Sequence, residues 1–467
     1  MCPQIFKAAA LNGAGERGRL GGGKPPLPSR GGFLLQKHIK HGKCLGEFYM
    51  AVIKPMVRSS MCINAHPVGC AKDTERQIAY VKAQKAKRGI KSVKEGGNGP
   101  KLVLVLGCST GYGLASRISA AFEYGADTLG VSFEKEATET KFGTPGWYNN
   151  QAFDRAAAKE GLYSKTFSAD AFSHETRKMM IEEIKKTGKK VDLIIYSLAS
   201  PVRVDPDVIV NQETGEHLMY KSVIKPIGKT YSGLGLDIMT KTLKESAAEP
   251  ATEEEIANTV KVMGGEDWQL WIDALSNADV LAKGCRTVAY SYIGPKLSHA
   301  IYRDGTIGQA KKHLEATARN LNKQLGEKLG GEAYVSVNKG LVTRSSAVIP
   351  IISIYLSILF KVMKAKGTHE GCIEQMERLF AERLYTGDNN GAGKVPVDVE
   401  NLIRIDDWEM ADDVQAEVAK LMDGVTEANI AERGDLEGYR HDFLNINGFD
   451  VEGVDYEKDI TDFRSLD

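Results

Sequence analysis

Between residues 101 and 113 the chain reads KLVLVLGCSTGYG, and few stretches leave a fold less choice. The apolar run 101–107 suits a strand buried on both faces, the situation of parallel sheets covered by helices. Directly after it, GYGLASRISAAFEYG (111–125) has the pattern of a helix ending at a glycine, and TLGVSF (128–133) that of a second strand. This is a βαβ unit. The alternation continues through VDLIIYSLA (191–199), TVAYSYIG (287–294) and AYVSVNKGLVT (333–343). Helical segments separate these strands, one of them opened by a capping box at Thr252 and Glu255, with the polar stretch 244–255 as its solvated entry. The class is α/β, a doubly wound Rossmann-type parallel sheet, with helical additions forming a substrate pocket. No internal repeat is present.

The glycines at 107, 111 and 113 fall between the first strand and the helix it feeds. There they permit a sharp turn and close approach of a pyrophosphate, met by the exposed N–H groups and dipole of the helix N-terminus. A tight turn without a ligand is the plainer alternative. The second strand ends at Phe133 and Glu134, where an acid can hold adenosine ribose hydroxyls and repel the extra phosphate of NADP, although Lys135 keeps NADP open. Asp170 with Ala171 and Leu198 with Ala199 fit the rim of the same cleft.

A further segment, YRDGTIGQAKK (302–312), is unusual. Thr306 and Gln309 predict a capping box, after which Ile307, Leu314, Ala318, Leu321 and Leu325 make an apolar stripe. Lys311 falls on that stripe, near a helix N-terminus that disfavours a cation. A buried lysine beside a dinucleotide can bond ribose hydroxyls and lower the pKa of a nearby phenol, which points to Tyr302, nine positions earlier, as an acid. Alternatively Lys311 snorkels and Tyr302 packs. Short-chain dehydrogenases pair a tyrosine and lysine at a shorter spacing than this Tyr-x8-Lys.

Taken together, AHPVGC (65–70), GCSTGYGLASR (107–117), GTPGWYNN (143–150), VKVMGGEDW (260–268), AYSYIGP (289–295), Tyr-x8-Lys and GTHEGCIEQM (367–376) resemble the trans-2-enoyl-CoA reductase family, which includes the V-type enoyl-acyl-carrier-protein reductases. The resemblance runs from about Met50 to the C-terminus. It implies NADH-dependent reduction of the C2–C3 double bond of a trans-2-enoyl thioester, with Tyr302 as proton donor, Lys311 as its cofactor-side partner and Tyr292 touching the thioester carbonyl. Carried over residue by residue, the NADH contacts are Gly107, Cys108, Ser109, Thr110, Gly111, Tyr112, Phe133, Glu134, Asp170, Ala171, Leu198, Ala199, Lys311, Leu341, Val342 and Thr343. Of these, only Leu341–Thr343 are not reached from strand ends. The segment before the acid reads LSHAIY (297–302), whereas the carrier-protein members resemble a TWPIY pattern; short enoyl-CoA is therefore the expected substrate, acyl-carrier protein the alternative carrier. Rival readings are a short-chain carbonyl reductase and a non-catalytic NAD-binding sensor.

Lys plus Arg and Asp plus Glu both number 61, so no global field favours nucleic acid or a membrane surface. Seven scattered cysteines without a CxxC pair argue against a disulfide framework or a metal site and for a reducing compartment, the cytoplasm. The longest apolar run, 347–360, is too short for a membrane span and contains Pro350, so it is expected as a buried helix lining either an acyl pocket or ordinary core. Residues 1–49 carry eight Lys or Arg against Glu16 and Glu47 and are rich in Gly and Pro. They are expected to form a disordered or non-native arm, with a mitochondrial transit peptide as the alternative, and 50–467 a single large domain whose activity does not need the arm. A monomer or homodimer is expected.

Overall fold

The computed structural model describes residues 52–58, 61–346 and 350–467. The expectation for 1–49 lies outside them. Seven strands form the central sheet: β1 (Leu102–Leu106), β2 (Asp127–Ser132), β3 (Ser164–Ser168), β4 (Val191–Tyr196), β5 (Leu281–Ser291), β6 (Glu332–Val337) and β7 (Leu402–Arg404). Their order is β7-β6-β5-β4-β1-β2-β3, and every pair is parallel. The order reverses direction between β1 and β4, so the crevice that binds ligands in such sheets opens there.

Helices cover both faces. On one lie α1 (Pro67–Arg88), α2 (Gly111–Phe122) and α3 (Pro145–Lys159); on the other α4 (His174–Thr187), with α5 (Glu253–Met263), α6 (Glu266–Asn277) and α7 (Thr306–Leu329) following along the chain. The alternation of β1 shows the division. Val103 and Val105 pack with Ile78, Leu114 and Phe153, while Leu102, Leu104 and Leu106 pack with Met180, Trp268 and Leu314. No side chain of β1 reaches water, which is why it is apolar without a break.

Two antiparallel hairpins, Val202–Asn211 with Glu216–Lys221 and Tyr231–Asp237 with Thr242–Ala248, are inserted between β4 and α5. The expectation that 244–255 is helix entry is therefore corrected: 244–248 is strand, and only Thr252 with Glu255 caps α5, by both bonds of a capping box. The turns form locally, Asn211 and Asp237 each accepting two backbone N–H groups two and three residues on.

The apolar run becomes α8 (Pro350–Lys366), followed by α9 (Cys372–Leu379), which joins the α1–α3 side. Ile352 to Phe360, where described, is buried, enclosed by α10 (Asp412–Met422), α11 (Leu436–Asn445) and Leu236 and Ile238 of the second hairpin. Its β-branched residues cost up to ~0.7 kcal/mol each in helix propensity, but burying each Ile, Leu or Phe gives ~1.5–3 kcal/mol. Packing decides the outcome. Among the described residues no helix is long and apolar enough to cross a membrane.

Candidate active site

The turn after β1 is built on backbone that cannot carry side chains. Gly107 has φ +86°, and a Cβ there would lie 2.2 Å from the Ser197 carbonyl oxygen; a Cβ on Gly113 would lie 1.9 Å from that of Gly107. Thr110, the N-cap of α2, is extended and makes no side-chain cap, so the first N–H groups of α2 stay available for an anion. The other side chains of the loop are engaged. Cys108 is buried against Asn150, Ser109 donates to Glu134 at 2.6 Å, and the Tyr112 hydroxyl donates to the Lys339 carbonyl at 2.7 Å.

The remaining expected cofactor residues line the same edge of the sheet, at or just beyond strand ends. Phe133 is 82% exposed, an aromatic face offered to solvent at the end of β2. Beside it the Glu134 carboxylate, fixed by Ser109, also meets Arg344 at 3.4 Å. Asp170 accepts the Phe172 N–H, and the Ala171 carbonyl is held by the Trp271 indole at 2.9 Å. Leu198 leans over the Gly107 turn, with Ala199 next to it. Leu341 and Val342 are buried, and Thr343 is pinned by Ser346. A dinucleotide fits this edge: glycine turn, free helix N-terminus, and an acid one strand away.

Tyr302 sits in the turn between a short helix, Lys296–His299, and α7. The expected capping box at Thr306 does not form. Gly305 is the N-cap, and Thr306 instead pairs by both N–H and hydroxyl with 223–225, tying the start of α7 to the segment after the first hairpin. The Thr306 hydroxyl oxygen accepts the Lys225 N–H and donates to the Val223 carbonyl, so it is diverted from accepting an N–H of the helix. Lys311 does face inward, its ammonium donating to the Tyr290 carbonyl at 2.8 Å. Burial pushes it down to about 8. Burial alone pushes the Tyr302 phenol up to about 12, so the expectation that Lys311 lowers it is corrected: the Lys311 ammonium is turned to the Tyr290 carbonyl instead.

Tyr292 meets Tyr302 edge-on, ring centroids 5.0 Å apart at 89°. Its hydroxyl donates to Glu409 at 3.1 Å. Glu409, Tyr355 and Gly340 around it, and Arg344 above Glu134, were missed from sequence. Glu409 lies in an acidic run, DDWEMADD, in which nothing local separates a buried carboxylate from solvated ones.

Residues 141–385 match the family described as the trans-2-enoyl-CoA reductase catalytic region, 52–139 the NAD(P)H binding domain of trans-2-enoyl-CoA reductase, and 397–460 the enoyl reductase FAD binding domain. A curated protein of Treponema denticola, trans-2-enoyl-CoA reductase (NADH), is 61% identical over 415 residues, 89% of this chain and 100% of its own length. An enoyl-acyl-carrier-protein reductase (NADH) of Flavobacterium johnsoniae is 50% identical over 89% of this chain and 99% of its own length. The crystal structure of the Treponema denticola enzyme in complex with NAD superposes with a TM-score of 0.82 at 60% identity, covering 89% of this chain and 99% of that one.

A flavin does not fit 397–460. At the end of β7, Arg404 is paired with Asp406, and Asp412 and Asp413 occupy the first turn of α10, where they repel a pyrophosphate. The inner faces of α10 and α11 are filled by α8.

Proposed function

The chain belongs to the trans-2-enoyl-CoA reductase family, and on that premise we propose that it reduces the C2–C3 double bond of a trans-2-enoyl thioester with NADH, Tyr302 giving the proton. The observation that carries this reading is the place of Tyr302: its ring meets Tyr292 edge-on and packs against the apolar cluster that joins Leu341 and Val342 to α8. No hydrogen-bond partner holds its hydroxyl among the described residues.

The backbone of Gly107–Tyr112 and the N-terminus of α2 hold the pyrophosphate, Glu134 the adenosine ribose, Phe133, Asp170, Ala171, Leu198 and Ala199 the rim, and Leu341–Thr343 the far wall. NADH, when bound, supplies the hydride that adds to the β-carbon. Negative charge then develops on the thioester oxygen, where the Tyr302 O–H can meet it, and protonation at the α-carbon completes the acyl thioester. At neutral pH Tyr302 keeps its proton. Lys311, with one N–H on Tyr290, has two left for ribose hydroxyls. Tyr292 offers the substrate its ring while its O–H is donated to Glu409, which leaves Tyr302 to meet the carbonyl oxygen. A Cβ on Gly340 would lie 3.0 Å from Leu356 and 3.2 Å from the Tyr292 hydroxyl, so α8 abuts this end of the site and supplies a wall for the acyl chain.

Coenzyme A is the carrier we favour, as in the Treponema denticola relative, and the cytoplasm the compartment. NADH oxidation measured with and without crotonyl-CoA tests the reading: consumption of NADH with formation of butyryl-CoA and no alcohol is expected, and an alcohol product or no turnover would overturn it.

A further inference from the structure

Glu409 is fully buried although its neighbours Asp407 and Trp408 reach solvent. A carboxylate so placed needs donors, and three converge on it. Oε1 accepts the hydroxyls of Tyr292 at 3.1 Å and Tyr355 at 2.5 Å; Oε2 accepts the Gly340 N–H at 2.6 Å. These donors come from three parts of the chain: the segment just after β5, the residue preceding Leu341–Thr343, and α8. One side chain therefore fixes the substrate-side phenol, the cofactor-side loop and the acyl-side helix.

The consequence for Tyr292 is specific. Its phenol lies between two glycines, since a Cβ on Gly294 would be 2.5 Å from the hydroxyl and one on Gly340 3.2 Å from it. The ring has room there only because both side chains are missing. With its proton directed to Glu409, its edge-on contact sets the ring of Tyr302. Lys339, buried behind and pushed down to about 8, is the strongest attraction for the Glu409 charge.

Resting on the reading of Tyr302 as proton donor, we propose that Glu409 is a positioning residue: it holds the Tyr292 phenol in place by accepting its hydrogen bond, so that Tyr302 is oriented as the phenol free to donate. A glutamine cannot replace it, because one of its two ends is a donor and would face either the phenols or the Gly340 N–H.

The test is a double-mutant cycle in the full chain with crotonyl-CoA and NADH, using Glu409→Gln, Tyr292→Phe and the pair, with Tyr302→Phe alongside. Glu409→Gln is expected to lower kcat on the order of 10-fold or more, with KM for crotonyl-CoA changed less than about threefold. In the Tyr292→Phe background the same change should cost several-fold less, the remainder being the Tyr355 and Gly340 bonds. Full activity of Glu409→Gln, or losses that multiply in the double variant, would overturn the proposal. Should Glu409→Gln fail to fold, Glu409→Asp takes its place in the cycle under the same criteria, and wild-type kcat in Tyr292→Phe would by itself overturn the proposal, leaving no link for Glu409 to act through. Turnover surviving in Tyr302→Phe would instead remove the reading on which the proposal stands, a result separate from those of the Glu409 and Tyr292 variants.

Discussion

Lys311 is held at a cost, for which the proposed cofactor-side role gives a reason. Its folded pKa, about 8, lies below its ordinary value of 10.5, so the folded chain binds that proton less readily than the unfolded one. Stability from this group is therefore full above about pH 10.5 and is lost as pH falls toward 8. At neutral pH the charge destabilises, and Lys311→Met should leave the melting temperature equal or higher while weakening NADH binding, measured by fluorescence titration. A fall in melting temperature with unchanged affinity would make Lys311 structural. In the wild type, kcat/KM should decline above about pH 8 as the cation is lost, and a rate flat to pH 10 would contradict its role. Glu134 carries a second expectation. NADH should be preferred over NADPH, and Glu134→Ala should shift the ratio of specificity constants toward NADPH by tenfold or more, about 1.4 kcal/mol, because Arg344 and Lys135 would then meet the 2′-phosphate. A ratio favouring NADPH in the wild type would refute the assignment.

At the scale of elements, the loop from β1 to α2 separates two kinds of glycine. Gly113→Ala puts a Cβ 1.9 Å from the Gly107 carbonyl oxygen, backbone that cannot yield without lifting α2 off the turn. NADH binding should be lost, with a melting temperature several degrees lower. Gly111→Ala meets nothing within 4 Å and suffers only from φ +56°, a strain of order 1 kcal/mol. It should keep measurable affinity, and equal damage from both would show that close packing is not what the motif protects. This loop was legible because spacing alone implies it. The hairpins between β4 and α5 were not, since their strands mix buried and exposed positions irregularly, as in Val202–Asn211, and a polar strand such as Thr242–Ala248 resembles the start of a helix. Thr306 failed for a related reason: a residue able to cap was claimed by a distant partner, which no local pattern records.

Over the whole molecule, the doubly wound parallel sheet was legible from the alternation of strands and helices, and the edge that gathers Gly107, Glu134 and Leu198 because parallel sheets bind at one end; the strand order was not, and Leu341 came only from the family resemblance. The position of Glu409, more than a hundred residues from the tyrosine it holds, depends on the complete topology. Substrate choice also belongs to this scale. Specificity constants for crotonyl-CoA should exceed those for dodecenoyl-CoA and crotonyl-carrier protein, and a carrier-protein value above both would overturn the assignment to coenzyme A. Finally, the thiol beneath the glycine turn makes the cofactor loop observable without any added probe. Cys108 is buried and pushed up to about 11, so alkylating reagents can reach its thiolate only when the loop lifts. Its modification, followed peptide by peptide by mass spectrometry, times that opening; NADH at about 100 times its Kd should slow it about 100-fold, and a rate indifferent to NADH would mean that the loop opens without releasing the cofactor.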